Sequence, residues 1–294
     1  MVSPKKKNSI LGRSALIVTT LIWGTSFVVL KNTIDSVPTL YVLAFRFTGA
    51  AAIMLIAGWR EFKKFDLRHL KMGTFMGACL FTAYTFQTFG LVYTTPGKNA
   101  FLTAVYCIIV PFLCWGLYRK RPDIYNIIAS VICVTGVGLV SVQENLTIGL
   151  GEGLTLVCGL FFAIHIILTA EAVKTCSVVI LTAIQFAVAG ALSWAGALLS
   201  SPMPSNIPQG AIAGMIYLTI MCTAACFFLQ TFGQKYTPPS GAAVIMTMES
   251  VFGTAVSVVF HKEVLNIQLL LGFILIFTGI LISETKLNFR PRVE

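Results

Sequence analysis

The sequence predicts an all-α integral membrane protein of ten transmembrane helices, arranged as two inverted five-helix repeats. Three observations predict it: an apolar composition, ten apolar runs of spanning length, and a ten-residue segment that recurs at a fixed offset. Of 294 residues, 56% are apolar and 11% charged, against about 25% charged in soluble chains. Ten spans of about 20 residues use roughly 200 positions and leave no room for a second, water-soluble domain.

The runs are, in order, Ser14–Leu30, Pro38–Gly58, Met72–Tyr93, Gly97–Tyr118 and Ile124–Gln143, then Gly153–Ala170, Val178–Leu199, Gly210–Gly233, Pro239–Phe260 and Ile267–Ser283. In lipid each backbone N–H and C=O must be satisfied within its own segment, so runs of this length are helices. The first run follows Lys5-Lys6-Lys7 as a signal peptide would, but no small-residue cleavage site follows it and nine more runs do; it reads as the first membrane helix.

The net charge of +10 does not form a basic stripe of the kind that binds nucleic acid. With the N-terminus in the cytoplasm, 17 Lys and Arg fall inside, and Lys31, Lys98 and Lys262 outside, while Arg46 lies within a span. Basic loops are retained on the cytoplasmic side. Both termini are therefore expected inside, in the plasma or inner membrane of the cell. Asn145-Leu146-Thr147 forms a glycosylation sequon in a predicted outer loop and carries no weight without a known host. The eight Cys all lie in or beside apolar runs, where free Cys serves as a small packing residue. No metal or cofactor site is expected. Gly149, Gly151 and Gly153 lack the strand and Lys of a nucleotide loop.

Residues 87–96 (QTFGLVYTTP) recur as 230–239 (QTFGQKYTPP), with seven of ten positions identical at an offset of 143. Thr135-Gly136 meets Thr278-Gly279 at the same offset, and an offset of 139 pairs Ala44, Phe47, Ala50 and Ala52 with Ala183, Phe186, Ala189 and Ala191. The halves are 1–143 and 144–294, with five spans each. An odd number of spans inverts the second copy, and the loop charges agree: five basic residues at 60–71, none at 200–209. Inverted repeats are a construction of secondary transporters, which bind substrate near the midplane between the halves.

Trp23-Gly24-Thr25-Ser26-Phe27, Arg46-Phe47, Met248-Glu249-Ser250-Val251-Phe252, Lys262-Glu263, Gly272 and Thr278-Gly279, on this duplicated plan, resemble the drug/metabolite transporter superfamily and its EamA-type permeases. The resemblance covers nearly the whole chain. It implies a permease for small polar or amphipathic metabolites, with export of amino acids or related compounds more in keeping than uptake. The chain departs from the family pattern at Ser250, where a Pro is usual, and at Arg119-Lys120 and Lys262-Glu263, where a Gly-Glu pair is usual in each half.

Charge deep in a span costs about 2.5 to 3.5 kcal/mol on insertion scales and needs a partner or a wet cavity. Arg46 and Glu249 are the two such residues. Arg46 suits an anionic group of the substrate, and Glu249 an amine or a coupled proton; the structural alternative for both is to fix helix packing. His165, mid-span and able to change protonation near neutral pH, is the second coupling candidate, and at the 139 offset it faces Ser26. Asn99, Thr103 and Tyr106 fall on one helix face. Tyr84, Gln87 and its repeat mate Gln230 supply further polar groups, and Trp23 an aromatic wall. These eleven are the candidate substrate-binding residues; each has interhelical bonding or anchoring as its structural alternative. Gly73 and Gly77 fit close helix packing, within the chain rather than at a dimer seam, so a monomer is favoured. The rival to a permease is a membrane-embedded enzyme acting on lipid or polyprenyl substrates. Three scattered His and no intramembrane Asp disfavour it.

Overall fold

The computed structural model describes residues 4–119, 121, 124–141, 149–262 and 264–285. The proposed boundary between halves, the sequon at Asn145, Lys120, Glu263 and the basic C-terminal tail lie outside the described residues. All regular structure among the described residues is helical: α1 (Pro4–Ile34), α2 (Thr39–Ala57), α3 (Leu67–Tyr93), α4 (Pro96–Thr103), α5 (Tyr106–Tyr118), α6 (Ile124–Ser141), α7 (Leu150–Ala172), α8 (Val178–Ser200), α9 (Gln209–Tyr217), α10 (Cys226–Tyr236), α11 (Pro239–Phe260) and α12 (Ile267–Thr285). A short 3-10 turn occupies Glu61–Lys64. Eight continuous stretches are long and apolar enough to cross a membrane, with α4–α5 and α9–α10 each counted as one. The apolar parts of α6 and α12 are shorter. The chain is a multi-pass membrane protein.

Helices outrun the apolar segments where polar ends suit them. Asp66 caps α3, its side chain accepting the backbone N–H groups of Arg68 and His69, and the His69 ring closes the capping box. The His69 backbone bond, above all, holds the Asp66 carboxyl below its usual range. Two runs expected to be single helices are interrupted. The run from Gly97 to Tyr118 breaks between α4 and α5, where Val105, Cys107 and Ile108 bond three residues back instead of four. Pro111 lies one turn further on. It has no N–H to offer and its ring crowds the carbonyl four residues earlier, so the preceding turn tightens. The run from Gly210 to Gly233 widens into a π-helical segment, Leu218–Ala225.

The contacts fall into matched sets. α1 packs on α10 as α3 packs on α7; α1 packs on α11 as α7 packs on α4 and α5; α2 meets α8, and α6 meets α12. The closest approaches repeat the match at single residues. A Cβ on Gly90 would stand 2.9 Å from the Gly151 carbonyl and 2.5 Å from the Thr155 hydroxyl; one on Gly233 would stand 2.8 Å from the Gly12 carbonyl and 2.6 Å from Leu16. Gly90 and Gly233 differ by 143 positions, and Gly12 with Leu16 differ from Gly151 with Thr155 by 139. Cys79 likewise bonds the Phe161 carbonyl at 3.0 Å while Cys222 reaches that of Ile22 at 4.0 Å. Gly73 and Gly77 abut Ile184, Gln185 and Val188 of α8, so they pack within the chain. Gly90→Val and Gly233→Val are each expected to lose about 1 to 3 kcal/mol by overpacking, measured by thermal unfolding in detergent. A neutral result at either would mean that the helices there have room to part.

Arg119 and Lys262, again 143 apart, both adopt left-handed backbone, with φ of 55° and 53°. They follow α5 and α11 at the loop where the resembling family has Gly. An L residue there costs about 1 to 2 kcal/mol that Gly avoids. Arg119→Gly and Lys262→Gly are expected to raise stability by about 1 kcal/mol each, additively, because the sites are independent. A fall in melting temperature for both would refute the strain.

Candidate functional site

Near the middle of the bundle a cavity of about 30 Å³ is lined by α1, α3, α4, α5, α7, α10 and α11. That is room for about two waters, well under the 300 to 1,000 Å³ usual for small-molecule sites, so a ligand enters only as the wall parts. Its lining is Trp23, Ser26, Phe27, Tyr84, Gln87, Thr103, Tyr106, Phe162, Ile166, Phe227, Gln230, Met246 and Glu249. Twelve of these thirteen are six pairs at the sequence offsets. Trp23 and Phe27 stand 139 before Phe162 and Ile166. Tyr84, Gln87, Thr103 and Tyr106 stand 143 before Phe227, Gln230, Met246 and Glu249. Ser26 alone lines the cavity without its mate, His165.

The rings build the wall. Trp23 meets Phe227 edge-on at 5.1 Å between centroids, and Tyr84 meets Phe162 at 5.3 Å and 81°. The Trp23 indole N–H donates to the Cys222 carbonyl at 2.8 Å. That carbonyl lies in the π segment, and such segments are frequent at functional sites. The polar lining is sparse. The Tyr106 hydroxyl donates to Glu249 Oε1 at 3.1 Å, a bond between two equivalent positions of the halves. Gln87 Nε2 donates to the Thr103 hydroxyl at 3.2 Å. Gln230 Nε2 donates to Gln234 at 3.3 Å, which leaves the buried Gln230 Oε1 as an acceptor without a hydrogen-bond partner among the described residues. Glu249 is 5% exposed and forms no ion pair among them.

Eight of the eleven candidates thus come together around one space. Arg46, Asn99 and His165 do not line it. Arg46, 1% exposed, lies over the Tyr84 ring at 4.6 Å. Its Nε donates to Thr223, and its Nη2 donates to the Tyr84 hydroxyl at 3.3 Å and the Cys222 carbonyl at 3.5 Å. Asn99 turns to α3 and α7, donating to the Gln87 carbonyl and, at 2.8 Å, to the Thr155 hydroxyl. His165 Nε2 bonds Gln185 at 2.8 Å, with its ring edge-on to Phe227. Phe27, Phe162, Ile166, Phe227 and Met246 were not among the candidates. No group of three His, Cys, Asp or Glu fit to hold a metal occurs among the described residues.

Membrane helices closed around a buried cavity with a few convergent polar groups are the architecture of a membrane transporter. The chain belongs to the EamA-like transporter family, which matches residues 10–142 and again residues 149–285. A protein of Archaeoglobus fulgidus described as an uncharacterized transporter is 29% identical over 91% of this chain and 84% of its own length. The uncharacterized transporter YwfM of Bacillus subtilis is 25% identical over 91% of each. A solved crystal structure has the same fold, with a TM-score of 0.70 over 95% of this chain and 98% of that one, at 17% identity. The protein is a permease in kind and not an enzyme.

Proposed function

We propose that the protein is a secondary transporter that carries small polar or amphipathic metabolites, the class that includes amino acids, by alternating access between two inverted five-helix repeats. The observation that carries this reading is the pairing in the cavity wall. Equivalent positions of the two halves face one another across one space, as they must if a pseudo-two-fold axis in the membrane plane runs through the substrate site. The matched glycine contacts and the matched left-handed residues after α5 and α11 support the same relation. Ten spans follow if α6 and α12 cross as a mutually packed pair.

With both termini in the cytoplasm of a cell whose plasma or inner membrane holds the chain, the ends of α1 and α3 and the starts of α4 and α7 lie on the outer face. There Lys98 pairs with Glu152 at 3.5 Å, Thr94 donates to Glu152 at 2.9 Å, and Lys31 caps the Leu91 carbonyl at 3.0 Å. The equivalent positions on the opposite face are Gly241 for Lys98 and Arg13 for Glu152, which cannot repeat the pair. The opposite face is tied by other bonds, from Tyr118 to Glu171 and from Ser177 to His69 and Glu61, so the two faces are held by different sets of contacts. Of the two coupling candidates, Glu249 lies in the cavity and His165 behind its wall, so a coupled proton is assigned to Glu249.

The test is a thermal-shift screen of the purified chain against amino acids, amines, nucleosides and sugars, repeated on Thr103→Trp, whose side chain fills the cavity. A ligand at 100 times its Kd stabilises by about 2.7 kcal/mol. A hit seen in the wild type and lost in the variant is expected, and the same hit loaded inside proteoliposomes should accelerate entry of its labelled form. Hits that survive the plugged cavity, or flux without that acceleration, would overturn the reading.

A further inference from the structure

We infer that the midplane site selects organic cations: a protonated amine on an apolar body, with its charge on Glu249 and its body against the aromatic faces. The inference rests on the reading of this cavity as the substrate site and narrows its substrate class.

Charge comes first. Glu249 is the only charged side chain among the lining residues described. A ligand entering a cavity closed off from bulk water gives up its hydration, and a net charge then needs a counter-charge within the wall. For an ammonium group that counter-charge is Glu249, which no described Lys, Arg or His neutralises by contact. For a carboxylate there is none. Arg46 stands outside the lining, beyond the Tyr84 ring, with Nε and Nη2 committed to Thr223, Tyr84 and the Cys222 carbonyl; its Nη1, without a partner among the described residues, belongs to a side chain that does not line the cavity. A zwitterionic amino acid would therefore satisfy its amine and bring its carboxylate into an acidic, otherwise neutral chamber.

The walls agree. Ring faces attract cations through their quadrupoles, the more so when desolvated, and rings from both halves surround the space. Gln230 Oε1, buried and without a partner, adds a neutral acceptor for an N–H donor. The Tyr106–Glu249 bond breaks the likeness of the halves at the one pair where a phenol faces an acid, so the cationic end points to α11 and α5.

The experiment uses the full chain in lipid nanodiscs and three probes that share a phenylethyl frame and differ in the charged groups on it: phenethylamine, phenylalanine and 3-phenylpropionate. Labelled phenethylamine is expected to bind, with phenylalanine competing about tenfold less well or worse and 3-phenylpropionate not at all. Glu249→Gln should weaken phenethylamine by about a hundredfold, and Glu249→Asp should keep most of the binding, which guards against a variant that merely folds poorly. Phenylalanine or 3-phenylpropionate binding as tightly as the amine, or no binding by any of the three, overturns the cation site. The transport reading fails separately: Glu249-dependent binding of phenethylamine without counterflow in proteoliposomes would keep the cation site and discard the carrier.

Discussion

Glu249→Gln is expected to abolish most of the flux and to flatten its dependence on pH. Gln has nearly the shape of Glu and still accepts the Tyr106 hydroxyl that now bonds Oε1 at 3.1 Å, so the helix packing has no reason to change. Fold stability should hold or rise, because removing a buried carboxylate also removes its desolvation cost. What disappears is the one carboxyl group among the described lining residues, and with it both the counter-charge and the site assigned to a coupled proton. Removing the counter-charge of a desolvated ligand costs about 3 to 5 kcal/mol, or more than about a hundredfold in affinity. Flux measured in proteoliposomes between about pH 5.5 and 8 should be low and level in the variant and sloping in the wild type. Equal slopes in the two would remove Glu249 from coupling, and equal rates would remove it from substrate binding as well.

The class of fold was legible because a membrane forces it: apolar runs of spanning length have no other way to satisfy their backbones. The cavity was legible in part, and the residues divide by mechanism. Tyr84, Gln87, Gln230 and Glu249 announced themselves as polar groups in apolar helices, and a polar group in such a helix faces protein or water. That rule does not say which. Arg46, Asn99 and His165 obey it by bonding neighbouring helices and never reach the cavity. Asn99 was grouped with Thr103 and Tyr106; those two line the cavity from either side of the interruption at Ala104–Val105, while Asn99, in the same helix as Thr103, is drawn away by its bonds to the Gln87 carbonyl and Thr155. Pro111 hinted at that break; the π segment at Leu218–Ala225 contains neither Pro nor Gly and had no visible cause. Phe27, Phe162, Ile166, Phe227 and Met246 are apolar and indistinguishable by type from lipid-facing positions such as Ile56, which is 76% exposed. The signal that finds them is the repeat itself. Carrying Trp23, Tyr84 and Thr103 across by 139 or 143 positions lands on Phe162, Phe227 and Met246.

Arg46→Ala is expected to be the most destabilising single change in the bundle while leaving the ligand preference of the surviving folded protein in place. The guanidinium is 1% exposed and has no acid in ion-pair range among the described residues, so its charge is held by dipoles and a ring. The carbonyl of Cys222 and the Thr223 hydroxyl face it from the π segment, and the Tyr84 ring lies beneath it at 4.6 Å. A cation over a desolvated ring gains about 0.5 to 2 kcal/mol. That gain depends on the π segment keeping its shape, and the segment in turn presents the Cys222 carbonyl to Trp23 in the cavity wall. Truncation to Ala leaves a void of most of a side chain and strands several polar partners, a loss of about 3 to 5 kcal/mol. Gln185 is the equivalent residue of the second half, neutral and bonded to His165, and so shows what this position carries without a charge. Arg46→Gln should accordingly lose less, about 1 to 3 kcal/mol, and Arg46→Lys a similar amount, since it keeps the charge and loses the fork. Thermal unfolding should order the variants Ala below Gln and Lys, with phenethylamine affinity per folded molecule within about threefold of wild type. A tenfold loss of affinity in Arg46→Lys at undiminished stability would put the guanidinium back in contact with the substrate.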